Sequence, residues 1–470
     1  MGVRANEDVT AGRAGAGARA GTGSADGGAL RGEEAVRFTS ELIRIDTTNR
    51  GGGDCKERPA AEYAAERLAE AGLSPLVLES APGRANVVTR IRGSEPSLPA
   101  LLVHGHLDVV PAEPSDWTVH PFSGEIRDGE VWGRGAIDMK GMDAMMLAVV
   151  RAWGREGRAP RRDIVLCFTA DEEDSAEAGA DWLVRHHAEL FEGCTQAVGE
   201  SGGYTVHTAA GQRLYPVAAG ERGTGWLRLT ARGTAGHGSK PNAANAVTRL
   251  SAAMARIGEH RWPVRLTPTV RAALLALGAA TGVPLAAAEL DDPGFDVDAY
   301  VRRLDPAAAK LVAGTLRNSA NPTVLQAGYK TNVIPGLATG QVDGRTLPGD
   351  GPAAEFEAAL DELTGPHVDW DYLHRSTALT APVDAPIFAA MRDAVLAHDP
   401  GAAVVPFSMT GGTDGKQLSQ LGIHNYGFSP LRLPPGFDFQ GLFHGVDERV
   451  PTDALRFGTA VLDDFLSTVG

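Results

Sequence analysis

The spacing of apolar and polar residues divides the chain into helical stretches and short apolar runs typical of buried strands. The predicted helices cover residues 34–45, 59–71, 141–153 and 176–187, and the predicted strands cover 87–91, 100–103 and 164–168. Strands that alternate with helices in this way form mostly parallel sheets covered on both faces. The sequence therefore predicts an α/β fold with a mostly parallel sheet flanked by helices.

A different pattern, typical of an α+β unit, interrupts this alternation. Residues 223–230 alternate between apolar and polar, which indicates an antiparallel strand with one solvated face. A helix, an Ala-rich helical stretch and two further strands follow at 243–257, 268–316, 323–325 and 338–342. A helix at 386–398 then resumes the α/β pattern. We therefore predict an inserted domain within the larger one.

These patterns divide the chain into four parts. Residues 1–32 are rich in Gly and Ala and lack the apolar core of a signal peptide, so we expect a disordered tail. Residues 33–218 form the first part of the predicted catalytic domain. Residues 219–377 form the inserted lid domain, and residues 378–470 complete the catalytic domain.

Composition restricts the class of partner. The 470 residues carry a formal net charge of −15, which repels phosphate backbones and argues against a nucleic-acid partner. No run reaches the roughly 18 apolar residues of a membrane span, so no membrane association is expected. Three cysteines without CxxC spacing argue against disulfides or a cysteine zinc knuckle and favour the cytoplasm.

Candidate chemistry begins at the end of the strand predicted over 100–103, where the chain reads His104-Gly-His106-Leu-Asp108. Ligands bind at the carboxyl ends of strands in open α/β sheets. His106 and Asp108 are two residues apart, so in extended geometry their side chains leave the same face. One imidazole nitrogen can then bind a metal while the carboxylate holds the other. The alternative is a satisfied polar cluster at a strand end.

Further acids and one histidine extend this set. Asp138 lies in a glycine-flanked turn without a phosphate-loop pattern, where it is free to bridge two cations or to cap a helix. Two interpretations fit the run 169–174, TADEED. In the first, one glutamate binds metal and its neighbour takes a proton. In the second, the run is a solvated charged face. Glu200 follows another short apolar segment and His444 comes from the far end of the chain; each alone also fits an ordinary surface residue. Together these donors favour divalent metals, zinc foremost, in a catalytic site without cysteine.

An ordered series of motifs from residue 33 to the end resembles the M20 metallopeptidases. This family contains aminoacylases, carboxypeptidase G-like enzymes, acetylornithine deacetylases and succinyl-diaminopimelate desuccinylases. The motifs are HGHLDVVP (104–111), GRGAIDMKG (133–141), TADEED (169–174), GES (199–201), GTAGHGSKP (233–241), NVIPG (332–336), DGRTLPG (343–349), GGTDG (411–415) and FHG (443–445).

The resemblance implies a centre of two divalent metal ions, Zn²⁺ first, with Co²⁺ or Mn²⁺ as alternatives. It implies that one ion is bound by His106 and Glu200 and the other by Glu173 and His444. Asp138 would lie between the two ions. Two more residues receive roles by the same resemblance: Asp108 orients His106, and the general base is Glu172.

The resemblance also implies that the inserted domain is a lid that mediates homodimerisation. His237 would reach the active site of a partner subunit and stabilise the developing oxyanion. Asn332, Arg345 and Thr413 would line the substrate carboxylate side, although Asn332 also fits a turn cap and Arg345 a pair with a nearby acid. Residues 268–322 would make the lid longer than in smaller relatives.

The expected function is a dinuclear metal-dependent hydrolase that cleaves an amide or peptide bond next to a free carboxylate. Its substrate would be an N-acyl amino acid or a short peptide. An aminopeptidase is one alternative, but it needs an acidic pocket for a free amine, whereas the lid offers His237, Asn332 and Arg345. A non-catalytic metal-binding protein is the other alternative, and it is disfavoured because Glu172 and every implied ligand are present.

Overall fold

The computed structural model describes residues 22–470 and has a mixed α/β architecture. Its helices are α1 (Thr22–Ile43), α2 (Arg58–Ala69), α3 (Lys140–Glu156), α4 (Ala180–His186), α5 (Ala246–Glu259), α6 (Pro268–Thr281), α7 (Val297–Val301), α8 (Pro306–Ala313), α9 (Pro352–Thr364), α10 (Pro386–His398), α11 (Gly415–Leu418), α12 (Phe439–Leu442) and α13 (Thr452–Thr468). None of these helices is both long and apolar enough to cross a membrane.

The strands form one large sheet and three smaller ones. They are β1 (Leu76–Ala81), β2 (Arg84–Ile91), β3 (Ala100–His106), β4 (Glu125–Arg127), β5 (Glu130–Trp132), β6 (Ile164–Thr169), β7 (Cys194–Gly199), β8 (Val206–His207), β9 (Arg213–Glu221), β10 (Gly223–Arg232), β11 (Gly236–His237), β12 (Ser319–Ala327), β13 (Val333–Ile334), β14 (Leu337–Thr346), β15 (Val368–Arg375), β16 (Leu379–Thr380), β17 (Ala403–Met409), β18 (His424–Gly427) and β19 (Arg449–Pro451).

The large sheet has the order β1-β2-β6-β3-β7-β18-β9-β16, and β17 and β8 also pair with β9. Its central strands β6, β3, β7 and β18 are parallel, and β17 runs parallel to β9. The strands toward either end pair antiparallel. The predicted fold class, an α/β domain with a mostly parallel central sheet flanked by helices, is confirmed.

Burial on both faces explains why β3 and β6 are mostly apolar. Along β3, Leu101 and Val103 pack into the core shared with α1, α3 and α13, whereas Leu102 packs into the core on the opposite face. Cys167 of β6 lies in that second core as a buried free thiol. An alternating strand would have left one of these cores without apolar side chains.

A second, antiparallel sheet with the order β12-β14-β10-β15 forms within the chain segment between β9 and β16. Helices α5 and α9 cover one of its faces, where Leu227 and Leu229 of β10 pack with Leu250 and Phe356. The residues that alternate with Leu227 and Leu229 along β10, Trp226 and Arg228, point to the other face and are exposed. This alternation is the one the sequence predicts for residues 223–230.

The helical stretch predicted over 268–316 lies elsewhere than expected. Helices α6, α7 and α8 pack against β9 and β17 of the large sheet, where Leu274 and Val312 contact a core that includes Leu214 and Val405. This stretch covers an apolar end of the large sheet, so its packing does not lengthen the lid sheet. The expectation of a longer lid is corrected on this point.

The first helix begins inside the segment predicted as a tail, residues 1–32. Helix α1 starts at Thr22, and Arg31 pairs with Glu156 at 3.3 Å and with Asp463 at 3.0 Å. These ion pairs join the start of the helix to α3 and α13. The rest of the predicted tail, residues 1–21, lies outside the described residues.

Candidate metal centre

The predicted metal ligands lie together at the carboxyl edge of the central sheet. His106 is the last residue of β3, the acidic run 171–174 follows β6, and Glu200 follows β7. Because β3 runs parallel to both neighbours, the three strands end on the same side of the sheet. Asp138, just before α3, and His444, after α12, reach the same edge from other parts of the chain.

Two groups of donor atoms share Asp138. His106, Asp138 and Glu200 form one group, and Asp138, Glu173 and His444 form the other; within each, the donor atoms lie within 4.8 Å of one another. The Oδ1 atom of Asp138 is 3.0 Å from His106 Nε2, and its Oδ2 atom is 3.1 Å from His444 Nε2. Each oxygen of this carboxylate therefore faces a different histidine.

The environment of these groups fits divalent cations. The Oε1 atom of Glu173 is buried and has no hydrogen-bond partner. Burial, and then the charge of Asp138, raises the pKa of Glu173 to about 7 and that of Glu200 well above its ordinary value. Hydrogen bonds to Asp138 and Glu173 raise the pKa of His444 to about 10. Carboxylates crowded in this way ionise together when cations lie between them.

Glu172 lies beside the centre and belongs to neither group of donors. Its Oε2 atom is 4.0 Å from His106 Nε2. Burial, and then the negative charge of Glu200, raises the pKa of Glu172 well above its ordinary range. A buried carboxylate next to a metal centre is placed to accept a proton and release it again.

Asp108 positions both His106 and the acidic run. The Nδ1 atom of His106 donates to the backbone oxygen of Asp108 at 3.0 Å, and the carboxylate Oδ1 is farther away, at 3.6 Å. The carboxylate accepts hydrogen bonds from the backbone nitrogens of Glu172 at 3.2 Å and Glu173 at 3.1 Å. Asp108 therefore orients the histidine mainly through its carbonyl and fixes the two glutamates through its side chain.

Glu448, which was not among the predicted site residues, holds the turn that carries Asp138. This fully buried carboxylate accepts hydrogen bonds from the backbone nitrogens of Gly135, Ile137 and Asp138 at 2.9, 2.7 and 3.1 Å. It also pairs with Arg134 at 2.7 Å. Its only signal in the sequence is its position four residues after His444, which does not reveal these partners.

A buried network around Asp171 fixes the start of the acidic run and was also missed. Arg84 Nη2 donates to Asp171 Oδ1 at 2.6 Å and to Glu57 Oε1 at 2.7 Å. Asn49 Nδ2 joins the same Asp171 oxygen, at 3.0 Å, to Asp108 Oδ2, at 2.9 Å. These bonds tie the loop after β6 to the loop after β3.

Two of the predicted substrate residues have partners within the chain. Arg345 donates through Nε and Nη2 to the two oxygens of Asp343, at 2.7 and 3.1 Å, which is the acid pair left open as its alternative. Thr413 donates through Oγ1 to Glu221 at 2.7 Å. The edge of the Arg345 guanidinium expected to bind a substrate carboxylate therefore holds Asp343.

Lys416 lies near these residues and was not predicted. Its ammonium donates to Ser376 Oγ at 2.9 Å and Thr224 Oγ1 at 3.4 Å, and among residues 22–470 no carboxylate pairs with it. Burial is the main cause that lowers the pKa of Lys416, and the charge of Arg345 lowers it further. Burial lowers the pKa of His374 as well, followed by the charges of Lys416 and Arg345. Lys416 and Arg345 are the cationic groups here, and the lowered pKa of His374 favours its neutral form.

His237 and Asn332 lie together on the lid. They belong to the short β11–β13 ribbon and the turn before it, where Gly238 N donates to Asn332 O at 2.9 Å. Both residues are exposed, and the only side-chain partner of the His237 ring among the described residues is Ser239, at 2.9 Å. Neither side chain lines the two cavities beside the metal centre.

Two cavities meet at the metal centre. One, of about 290 Å³, lies over the metal ligands and has an aromatic wall. The other, of about 650 Å³, lies between the two sheets and contains Lys416 and His374. Glu172 and Gly412 line both cavities. A substrate held at the metal centre would therefore extend into both.

Two donor groups that share one aspartate, at the ligand-binding edge of an α/β sheet and beside a buried glutamate, form an arrangement suited to metal-dependent hydrolysis. Comparison with protein families agrees, because residues 102–468 match the family described as Peptidase family M20/M25/M40. The chain belongs to this family and is a metal-dependent hydrolase of amide or peptide bonds.

Individual relatives cover most of the chain. N-fatty-acyl-amino acid synthase/hydrolase PM20D1 of Xenopus tropicalis is 27% identical over 415 residues, 85% of this chain and 78% of that protein. Aminoacylase-1 of Sus scrofa is 27% identical over 421 residues, 87% of this chain and 89% of that protein. The structure of the M20 family metallo-carboxypeptidase Sso-CP2 from Sulfolobus solfataricus covers 92% of this chain and 98% of its own, with a TM-score of 0.67 and 17% identity, and so shares the fold.

Proposed function

We propose that this protein is a dinuclear hydrolase that cleaves an amide or peptide bond next to a free carboxylate. Its substrates would be N-acyl amino acids or short peptides. The observation that carries this proposal is the pair of donor groups joined through the two oxygens of Asp138. The names of the aminoacylase-1 and PM20D1 relatives support an N-acyl amino acid.

In this proposal, His106 and Glu200 hold one ion and Glu173 and His444 hold the other, with Asp138 shared. The nitrogen and oxygen donors suit Zn²⁺, with Co²⁺ or Mn²⁺ as alternatives. When bound, such ions polarise the scissile carbonyl and make a water molecule nucleophilic at neutral pH. Asp108 orients His106 and keeps the backbone of Glu172 and Glu173 in place.

Glu172 is the proposed general base. It accepts a proton from the attacking water as the oxygen adds to the carbonyl carbon, and it delivers that proton to the nitrogen as the C–N bond breaks. A raised pKa, caused first by burial, lets one carboxylate serve both steps. This transfer accounts for roughly 10²–10⁴-fold in rate in comparable enzymes.

The substrate carboxylate is proposed to bind in the cavity between the two sheets. Lys416 supplies an ammonium that lacks an acid partner among the described residues, and Arg345 adds positive charge close to it. Thr413 forms part of the same cavity, and Asn332 would approach from the lid. The inference for Arg345 is electrostatic, because its two-donor edge is occupied by Asp343.

We propose that the inserted domain, residues 219–377 apart from the helices at 268–316, forms a homodimer. The exposed face of its sheet carries the apolar side chains Trp226 and Leu337, which are 47% and 45% exposed. A partner subunit on this face would bury them. His237, which does not line the cavities beside the metal centre of its own chain, would then stabilise the oxyanion in the partner's site.

The three cysteines are free and buried. Their thiol state supports a reducing compartment, and we propose the cytoplasm.

A hydrolysis panel tests the proposed function. Protein stripped of metal with a chelator and reloaded with Zn²⁺ or Co²⁺ is offered N-acyl amino acids, matched N-acyl amino acid amides, and dipeptides with free or blocked amines. We expect cleavage of the N-acyl acids, dependence on added metal, and much slower cleavage of the amides. Preference for substrates with a free amine would support the aminopeptidase alternative instead.

A further inference from the structure

The cavity over the metal ligands has an uncharged wall. Every charged side chain that lines it belongs to the metal centre or is Glu172. The rest of the lining is dominated by five apolar or aromatic side chains, which we call the aromatic wall: Tyr204, Phe407, Met409, Phe439 and Phe443. A charged substrate group in this cavity would leave water without finding an opposite charge apart from the metal centre.

The aromatic wall is held in place by contacts among its own members. The rings of Tyr204 and Phe439 stack with centroids 4.0 Å apart, and the ring of Phe443 meets Phe439 edge-on at 5.2 Å. Gln440 Nε2 donates to the Tyr204 hydroxyl at 2.7 Å, so the polar end of this ring is satisfied within the protein. The wall therefore presents a preformed apolar surface, which lowers the entropic cost of binding an apolar group.

The position of the wall determines which half of a substrate meets it. The scissile bond must lie at Glu172, which lines both cavities. The amino-acid half carries the carboxylate, which is attracted to Lys416 in the cavity between the sheets. The acyl half lies across the scissile bond and so extends toward the aromatic wall.

We propose that the aromatic wall binds the acyl group and selects amino acids N-acylated with an apolar chain or ring larger than acetyl. This inference rests on the proposed function, because it assumes cleavage next to a carboxylate held near Lys416. The wall residues are specificity determinants in this proposal and take no part in proton transfer.

An acyl series on one amino acid tests the inference on the unmodified, metal-loaded protein. The substrates are the N-acetyl, N-butanoyl, N-hexanoyl, N-phenylacetyl and N-succinyl derivatives. Full burial of one added methylene is expected to raise kcat/KM by about fourfold. From acetyl to hexanoyl, which adds four methylenes, we expect a rise on the order of 100-fold, less than the full product because the chain is incompletely buried. The N-succinyl derivative, similar in length to N-butanoyl but charged, is expected to be cleaved at least tenfold less efficiently than N-butanoyl.

The outcomes separate this inference from the proposed function. Failure to cleave any N-acyl amino acid contradicts the proposed function itself. Cleavage of N-acetyl and N-succinyl substrates as efficiently as N-hexanoyl leaves the function intact and overturns the inference. A second series, with acetyl fixed and the amino-acid side chain enlarged from glycine to phenylalanine, gives a further check. A strong increase in that series with none in the acyl series would assign the wall to the side chain and overturn the inference.

A variant pair links the preference to the wall. Phe407 is chosen because it lies in the wall and is not adjacent to a metal ligand in the sequence. Phe407→Asn is expected to lower the ratio of kcat/KM for N-hexanoyl over N-acetyl substrate at least tenfold. Ile126→Asn, which alters an exposed apolar residue of β4 outside the cavity, is the matched control and should keep the ratio. An unchanged ratio in a folded Phe407→Asn protein would contradict the assignment.

Discussion

Replacing Glu448 by glutamine should loosen the turn that carries Asp138. The carboxylate of Glu448 is fully buried, and its two oxygens together accept four hydrogen bonds, three from backbone nitrogens of the turn and one from Arg134. An amide offers one acceptor oxygen in place of two. Its NH₂ group would therefore face two donors, and the charge opposite the buried Arg134 guanidinium would be lost.

The expected magnitude follows from these contacts. A buried donor left without an acceptor costs about 1–3 kcal/mol, and removal of one member of a buried ion pair costs about 3–5 kcal/mol. The two costs overlap because Arg134 is itself one of the donors. We therefore expect Glu448→Gln to lower the free energy of unfolding of the metal-free protein by about 3–5 kcal/mol. Because Asp138 loses its support, zinc affinity should fall by about 10–100-fold.

Urea denaturation in the presence of a chelator measures the first effect, and zinc titration against a chromophoric chelator measures the second. Glu355→Gln is a matched control, because Glu355 pairs with Arg265 where both side chains are exposed, at 39% and 48%. The control should change stability by at most about 1 kcal/mol and leave zinc affinity unchanged. A Glu448→Gln protein as stable as the control, with normal zinc affinity, would refute this reasoning.

Three further predictions concern separate parts of the molecule. Glu172→Gln should bind metal normally, by titration, and lose roughly 10²–10⁴-fold in kcat; near-normal turnover would reject its role as the base. Lys416→Met should raise KM for an N-acyl acid with little effect on the matched amide, and equal effects on both would argue against carboxylate binding. Asp399→Asn should destabilise the protein at pH 7 by about 1–3 kcal/mol, because Asp399 accepts from Arg213 and Tyr215.

The pH dependence of the Asp399 effect has a definite sign. The hydrogen bond from Arg213 is the main cause that lowers the pKa of Asp399. A carboxylate with a lowered folded-state pKa stabilises the protein above its unfolded pKa of about 3.9, and this contribution is lost as pH falls through the folded-state value. The stability difference between the unmodified protein and Asp399→Asn should therefore shrink below pH 4. A difference that grows toward low pH would contradict this assignment.

The central sheet could be predicted from the sequence because it depends on local patterns. Strands such as β3 and β6 are buried on both faces, so their residues form apolar runs that can be recognised without knowledge of their neighbours. Parallel strands end at one edge, so acids and histidines that follow them converge there. This explains why His106 and Glu200, 94 positions apart by their numbers, lie at one edge of the sheet; their assignment to one ion came from the resemblance to the M20 family.

Features set by distant partners could not be read from such patterns. The backbone groups that donate to Glu448 lie in a turn some 310 residues earlier in the chain. The hydroxyl groups that accept from Lys416 belong to Thr224 and Ser376, near the other sheet. Helix α6 shows an apolar face, but periodicity does not specify which sheet covers it. The sequence left open whether Arg345 pairs with a substrate or with a neighbouring acid, because Asp343 is two residues away on the same strand face.

The central claim is that Asp138 joins two metal sites. Anomalous X-ray diffraction at the zinc edge, on crystals of zinc-loaded protein, tests it most directly. We predict two anomalous peaks on either side of the Asp138 carboxylate, one bound by His106 and Glu200 and the other by Glu173 and His444. A single peak, or peaks that do not contact Asp138, would contradict the claim.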